Sequence, residues 1–125
     1  MPRTVLIADD TREVVELISI YLETERRGYR VVRAYEGAEC LEAIRWEKPD
    51  VVLLDLMMPE MSGQEVLEHL RGDEYKPPTI VMSTRQTRDG EFGAYSQVKV
   101  VFRKPMDADK LLAAIDLIAE AGSVQ

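Results

Sequence analysis

The sequence predicts an α/β protein in which an open, doubly wound sheet of five parallel strands lies between two layers of helices. Short, continuously apolar segments alternate with longer segments whose apolar residues recur at helical spacing. Continuously apolar strands are typical of parallel sheets that are covered on both faces. The chain has 125 residues, whereas a closed barrel of such units usually requires about 250. We therefore expect an open, three-layer arrangement with right-handed crossovers.

Five segments are predicted to form the strands. TVLIA at 4–8 and VVLL at 51–54 are short, continuously apolar runs, as expected for strands that are buried on both faces. YRVVRA at 29–34 is more polar, which is typical of an edge. The remaining two strands are PPTIVMST at 77–84, which follows a proline-marked turn, and KVVF at 99–102.

Helices are predicted at residues 12–25, 37–50, 63–71 and 107–122. The second of them directs Leu41 and Ile44 towards the core and leaves Trp46 half-buried. Ser62 and Glu65 have the spacing of a capping box, and Asp107 is a candidate N-cap.

The segment that follows the fourth strand departs from this regularity. It reads TRQTRDGEFGAYSQVK from Thr84, includes Gly90 and Gly93, and has poor apolar periodicity. The helix expected between the fourth and fifth strands is therefore predicted to be short, shifted or absent.

Composition excludes several classes of protein. The 16 basic and 23 acidic residues give a net charge of −7, which argues against contact with nucleic-acid phosphates. The single cysteine, Cys40, permits no intramolecular disulfide and fits a reducing compartment. No apolar run approaches the roughly 18 residues of a membrane span, and no signal-peptide pattern is present. We expect one cytoplasmic domain over residues 1–125, without membrane contact.

Polar side chains follow four of the predicted strands. In an open α/β sheet, ligands bind beyond the carboxyl ends of the strands, where these side chains should meet. They are Asp9 and Asp10 after the first strand, Asp55 after the third, Ser83 and Thr84 after the fourth, and Arg103, Lys104 and Pro105 after the fifth. The pair Asp9–Asp10 is also a candidate N-cap for the first helix.

Three carboxylates at one edge would repel one another unless cations offset their charge. Lys104 supplies one positive charge. Oxygen ligands without a nearby histidine or cysteine favour Mg²⁺, with Mn²⁺ or Ca²⁺ as alternatives. Zinc is disfavoured, because the only histidine, His69, lies in a predicted helix. A metal ion, a lysine and a hydroxyl group together can stabilise a phosphoryl group during its transfer. An aspartate beside them can act as the nucleophile and form an acyl phosphate.

The motifs LIADD, LLDLMMPEMSG, IVMST and FRKP, in this order, resemble the four signatures of a response regulator receiver domain of two-component signalling, of the chemotaxis-regulator kind. The resemblance covers essentially the whole chain. It implies a flavodoxin-like fold with the strand order 2-1-3-4-5. It also implies a phospho-accepting switch rather than an enzyme, which takes part in its own phosphorylation and dephosphorylation.

The resemblance assigns roles to individual residues. Asp55 resembles the phosphoacceptor, which takes a phosphoryl group from the phosphohistidine of a sensor histidine kinase or a histidine phosphotransfer protein. Asp9 and Asp10 resemble the acidic pair that holds Mg²⁺ together with Asp55, and the backbone carbonyl of Met57 would be a further ligand. Lys104 resembles the lysine that pairs with the phosphoryl group.

Other positions concern the switch. Thr84 resembles the hydroxyl residue that bonds the phosphoryl oxygens, and Pro105 is expected to follow a cis peptide bond. Arg85 stands where the family usually has a small residue, so its side chain would gate access to Asp55 or itself meet the phosphoryl group. Val101 replaces a frequent aromatic switch residue, and Phe102 should face the other side of its strand.

Two other functions are alternatives to a phosphorylated switch. A receiver-like scaffold would bind proteins without phosphorylation, and the irregular fourth segment with Arg85 favours it. A hydrolase with an aspartate nucleophile would need a second aspartate where the sequence has Met57. The sequence leaves open the cognate kinase, the output domain or partner, and whether the domain is part of a longer protein.

Overall fold

The computed structural model describes residues 3–25 and 28–122. Its strands are β1 (Thr4–Ala8), β2 (Arg30–Ala34), β3 (Val51–Asp55), β4 (Thr79–Ser83) and β5 (Val98–Arg103). They form one parallel sheet in the order β2-β1-β3-β4-β5, which confirms the predicted fold class and strand order. The edges of the sheet are therefore β2 and β5.

The helices of the described residues are α1 (Arg12–Ile20), α2 (Gly37–Glu47), α3 (Gly63–His69) and α4 (Ala108–Gly122). A π-helical turn, Tyr21–Glu25, extends α1, and a 3₁₀ turn, Leu70–Gly72, extends α3. The second helix ends earlier than predicted because Lys48 adopts a left-handed conformation with φ 46° and Pro49 follows it. None of the helices in the described ranges is long and apolar enough to cross a membrane.

The helix caps predicted at Ser62 and Asp107 are present. The Ser62 hydroxyl accepts a hydrogen bond from the Glu65 backbone N–H at 3.2 Å, and the Glu65 carboxylate accepts one from the Ser62 N–H at 3.1 Å. Asp107 Oδ1 accepts from the Lys110 N–H at 3.1 Å. These bonds satisfy N–H groups that have no partner within the helix, and so fix where α3 and α4 begin.

Two hydrophobic cores lie on opposite faces of the sheet. Leu6 and Leu54 face α2 and α3, whose inward side chains include Leu41 and Ile44, as predicted. Alternate strand residues such as Ile7 pack on the other face, against α1 and α4. Every residue of β1, β3 and β4 is buried, so the polar groups at their carboxyl ends are held by a rigid scaffold.

Residues 84–97 contain turns and bends but no helix, so the fourth βα unit lacks its helix. The predicted irregularity of this segment is confirmed. Two aromatic side chains, Phe92 and Tyr95, cover the sheet there and join the core on the α2–α3 face. The Tyr95 hydroxyl donates a hydrogen bond to Glu68 at 2.7 Å, which ties the segment to α3.

The prediction that Trp46 is half-buried is wrong, because 80% of its surface is exposed. Ile44 faces the core with only 1% exposed. Two residues correspond to about 200° of rotation in an α-helix, which turns Trp46 to the outer face of α2.

Candidate functional site

Three carboxylates meet at the carboxyl edge of the sheet. Asp9 follows β1, and Asp55 is the last residue of β3, the neighbouring strand. One carboxylate oxygen from each of Asp9, Asp10 and Asp55 lies within 4.8 Å of the others. Asp9 is fully buried and Asp55 is 3% exposed, whereas Asp10 faces solvent. The structure thus brings together the acidic residues that the sequence pattern placed at this edge.

Lys104 bridges the two buried carboxylates. Its Nζ lies 2.6 Å from Asp9 Oδ2 and 3.4 Å from Asp55 Oδ2. The backbone holds it there, because the Lys104 N–H donates to the Ser83 carbonyl at 2.8 Å. The Lys104–Pro105 peptide bond is cis, as the resemblance implied.

Burial and neighbouring charges shift the pKa values of Asp55 and Lys104. The pKa of Asp55 is raised to about 6, chiefly by burial and in smaller part by the neighbouring Asp9 charge. The Met57 N–H, 3.2 Å from Asp55 Oδ1, and the charge of Lys104 act in the opposite direction. Burial lowers the pKa of Lys104, but its hydrogen bond to Asp9 and the charges of Asp55 and Asp9 outweigh burial and leave it raised. An additional cation would relieve the repulsion that remains.

The donor set fits a hard cation. The cluster offers carboxylate oxygens and contains no histidine or cysteine. Oxygen ligands of this kind suit Mg²⁺, with Mn²⁺ as an alternative. The residues that could hold the ion are Asp9, Asp10 and Asp55, together with the predicted backbone carbonyl of Met57. The Met57 side chain is itself 61% exposed, and Asp10 is the carboxylate of the cluster that faces solvent.

The Asp9 carboxylate also forms a hydrogen bond within the loop after β1. Asp9 Oδ1 accepts a hydrogen bond from the Thr11 N–H at 2.9 Å, while Oδ2 binds Lys104. The Asp9 side chain therefore shapes the entry into α1 and also belongs to the cluster. The alternative in which Asp9–Asp10 is the N-cap of the first helix is wrong, because Thr11 occupies the N-cap position and no side chain of the described residues caps α1.

A glycine that sequence reasoning had not treated as a site residue supports Asp55. The Gly63 N–H donates to the Leu56 carbonyl at 3.0 Å. A Cβ atom at position 63 would lie only 2.3 Å from the Asp55 carbonyl oxygen. Only glycine allows α3 to begin this close to the strand end. The available signal was the final glycine of the motif DLMMPEMSG.

Thr84 lies immediately beyond β4 and is exposed. Together with Lys104, Pro105 and residues of α1 it lines a groove of about 480 Å³ beside the acidic cluster. Its neighbour Ser83 is buried, and the Ser83 hydroxyl accepts from the Arg85 N–H at 3.1 Å and donates to the Arg85 carbonyl at 3.0 Å. These bonds fix the backbone at which the irregular segment leaves the sheet.

The Arg85 side chain is held along that segment. Its guanidinium binds both carboxylate oxygens of Glu91 and donates to the Gln86 carbonyl at 3.3 Å. Val101, on the edge strand β5, is exposed, while Phe102 packs into the core on the α1–α4 face. The two side chains thus lie on opposite faces of β5, as expected from strand geometry.

These features define an α/β domain with an acidic, lysine-bridged pocket at the carboxyl edge of its sheet. The sequence matches the response regulator receiver domain family over residues 5–116. The chain belongs to this family, whose members act in two-component signalling. This confirms the resemblance seen in the four motifs.

A curated relative agrees with the family assignment. The chain is 38% identical over 91 residues to the response regulator GtcR of Aneurinibacillus migulanus, a match that covers 73% of this chain and 36% of that protein. The chain therefore spans about a third of the length of this relative.

Solved structures share the fold. The N-terminal domain of a response regulator receiver protein from Methanoculleus marisnigri is 34% identical with a TM-score of 0.71, covering 91% of this chain and 94% of that chain. A CheY-like response regulator receiver domain protein from Methanospirillum hungatei has a TM-score of 0.87 at 24% identity, covering 98% of each chain. The second likeness concerns the fold alone.

Proposed function

We propose that this domain is a phosphorelay receiver in which Asp55 accepts a phosphoryl group from the phosphohistidine of a sensor histidine kinase or histidine phosphotransfer protein. The observation that carries the proposal is the placement of Asp55. Its carboxylate is buried at a strand end, within 4.8 Å of the carboxylates of Asp9 and Asp10 and 3.4 Å from Lys104 Nζ. Three carboxylates and one lysine leave excess negative charge at this edge, which would only destabilise a protein that used the edge for structure alone.

In the proposed reaction a carboxylate oxygen of Asp55 attacks phosphorus. The bond between phosphorus and the donor imidazole nitrogen breaks, and an acyl phosphate forms on Asp55. Lys104 places a positive charge beside the transferring group, where it stabilises the phosphoryl oxygens. Mg²⁺, held by Asp9, Asp10, Asp55 and the Met57 carbonyl, would supply further charge neutralisation when bound, and Mn²⁺ could replace it.

Phosphorylation is proposed to change the surface near the carboxyl edge. The Thr84 hydroxyl would bind a phosphoryl oxygen and pull on residues 84–97, which directly follow it. Because this segment contains no helix, the surface that changes would be irregular and would include Arg85 and exposed Val101. This surface would contact an output domain or partner protein, without direct nucleic-acid contact by the domain itself and in the cytoplasm.

The test is phosphorylation of the purified domain by acetyl phosphate or phosphoramidate, followed by intact-mass spectrometry. We expect a gain of one phosphoryl group that depends on Mg²⁺ and is lost in Asp55→Asn. The matched control is Asp109→Asn, which removes an exposed carboxylate from the first turn of α4. Equal labelling of Asp55→Asn and wild type would show that Asp55 is not the acceptor.

A phosphorylation-independent scaffold is the second candidate function, favoured by the missing helix between β4 and β5. Mg²⁺ binding distinguishes the phosphorylated receiver from the scaffold. No labelling by small phosphodonors or by a histidine kinase, combined with no Mg²⁺ binding in a titration, would favour the scaffold. Mg²⁺ binding that is lost in Asp10→Asn would favour the phosphorylated switch, because the exposed Asp10 carboxylate is the most accessible part of the cluster.

A further inference from the structure

The surface of α2 carries a large aromatic side chain that packs in neither core. Trp46 is 80% exposed and is the only tryptophan in the chain. Exposure of this much apolar surface to water is unfavourable, and tryptophan is therefore well buried on average in folded proteins. Tryptophan is also among the residues that most often dominate the energy of protein interfaces.

Trp46 stands at one wall of an open groove of about 650 Å³. The groove runs between α2 and the edge strand β2, with Val32 from the strand and Ala43 from the helix among its lining residues. Within the sheet, β2 has a single neighbour, β1. Among the described residues no strand pairs with the outer side of β2, so an extended segment can add to this edge by backbone hydrogen bonds.

The rim of the groove is acidic. It carries Glu39 and Glu42 next to Trp46 on the same helix. The Glu39 carboxylate accepts one hydrogen bond, from the Tyr35 N–H at 2.8 Å. Among the described residues, Glu42 has no hydrogen-bond or ion-pair partner.

The two arginines of β2 do not neutralise this rim. Arg30 binds Glu47 at 2.6 Å. Arg33 also lines the groove, but its guanidinium binds both Glu16 and Glu23 at 3.1 Å. Each guanidinium is thus already matched by carboxylate, and the charge left at the groove is negative.

We propose that this surface, the Trp46 groove, binds an extended segment of a partner protein that carries alternating basic and aliphatic residues. Basic side chains would pair with Glu39 and Glu42, and one guanidinium would stack on the Trp46 ring. The backbone of the segment would add to the free edge of β2, with its aliphatic side chains over Val32 and Ala43. A second copy of this chain is a poor occupant, because each copy carries a net charge of −7 and an acidic groove.

The groove is separate from the proposed switch. It lies at the β2 edge of the sheet, whereas residues 84–97 adjoin β5 at the opposite edge. Binding here therefore does not depend on phosphorylation of Asp55, and Asp55→Asn should retain it.

The only tryptophan of the chain reports on the groove directly. The probe is the peptide acetyl-Arg-Val-Arg-Val-Arg-Val-amide, and the comparison peptide replaces each arginine with glutamate. We expect the basic peptide to give a saturable blue shift of tryptophan emission that weakens as salt is added, and the acidic peptide to give none. The same peptides carrying a fluorescent label measure affinity by anisotropy in variants without tryptophan.

Variants test whether the groove itself is the site. Trp46→Ala and Glu42→Lys should each weaken binding of the basic peptide by about tenfold or more. Leu117→Ala removes another exposed apolar side chain, on α4, and Asp89→Lys reverses an exposed charge near β5. Both controls should bind like wild type, and circular dichroism checks that all four variants fold.

Three outcomes would overturn the proposal. They are no saturable shift with the basic peptide up to about 1 mM, equal binding of the acidic peptide, and unchanged affinity in Trp46→Ala. Concentration-dependent dimerisation that Trp46→Ala abolishes would overturn it as well, because the occupant would then be a second copy of the chain.

Discussion

Gly63 is predicted to be essential for the geometry around Asp55. It begins α3 directly against the end of β3, and a Cβ atom added there would meet backbone atoms rather than a flexible side chain. The distances would be 2.3 Å to the Asp55 carbonyl oxygen and 2.9 Å to Leu56 Cα. Gly63→Ala therefore requires the helix and the strand end to separate by about 1 Å to reach an ordinary contact.

The loss of stability in Gly63→Ala follows from the typical effects of comparable substitutions. Overpacking of a well-filled site costs roughly 1–3 kcal/mol, and a clash with backbone belongs at the upper end. Alanine returns up to about 1 kcal/mol through helix propensity and a less flexible unfolded chain. We expect a net loss of about 2 kcal/mol in the free energy of unfolding. With an unfolding entropy of about 260 cal/mol/K for a chain of this length, Tm falls by about 8 °C.

The assay is thermal unfolding by circular dichroism with a matched glycine as control. A Cβ at Gly72 would meet no atom within 4 Å, so Gly72→Ala should shift Tm by only about 2 °C. Gly63→Ala should also slow labelling by acetyl phosphate by about 100-fold, because a displacement near 1 Å misplaces the acceptor. The reasoning is refuted if Gly63→Ala unfolds at the wild-type temperature.

Three further predictions concern Cys40, Glu91 and Arg85. Burial raises the pKa of the Cys40 thiol to about 12, so thiol reagents at pH 8 should modify it only as the protein unfolds; rapid modification of the folded domain would contradict this. The hydrogen bond from Arg85 and, in smaller part, the Arg88 N–H lower the pKa of Glu91 from 4.5 to about 2. The Arg85–Glu91 ion pair therefore contributes its full stability above about pH 5 and loses it as pH falls towards 2. The stability difference between wild type and Arg85→Ala should shrink over that range in urea titrations, and a constant difference would contradict the assignment. If Arg85 also gates the site, Arg85→Ala should change the rate of phosphorylation or of acyl-phosphate loss, and unchanged rates would dismiss that role.

Local patterns in the sequence were sufficient to predict the order of strands and helices along the chain. The apolar segments around Leu6 and Leu54 and the capping box at Ser62 depend on neighbouring residues, so they can be recognised without tertiary contacts. The carboxyl-edge position of Asp9 and Asp55 follows from the parallel topology, because every parallel strand ends at the same side of the sheet.

Only the tertiary structure decided how these groups meet. Lys104 and Asp9 are 95 positions apart, and nothing local specifies that Nζ lies 2.6 Å from Asp9 but 3.4 Å from Asp55. The close approach of Gly63 to the Asp55 carbonyl likewise depends on how α3 packs against β3. Contacts of this kind depend on the packing of distant elements, which no periodicity encodes.

The sequence by itself determined the order of elements along the chain and the acidic edge, because these depend on residue type and spacing. Its four motifs indicated the family and, through that resemblance, the strand order of the sheet. The tertiary structure decided that aromatic side chains rather than a helix cover the sheet between β4 and β5, and that Trp46 faces solvent. Helical periodicity does not predict how exposed Trp46 is, because exposure depends on whether a neighbouring element covers that face of α2. No described element covers it beside β2, the edge of the sheet.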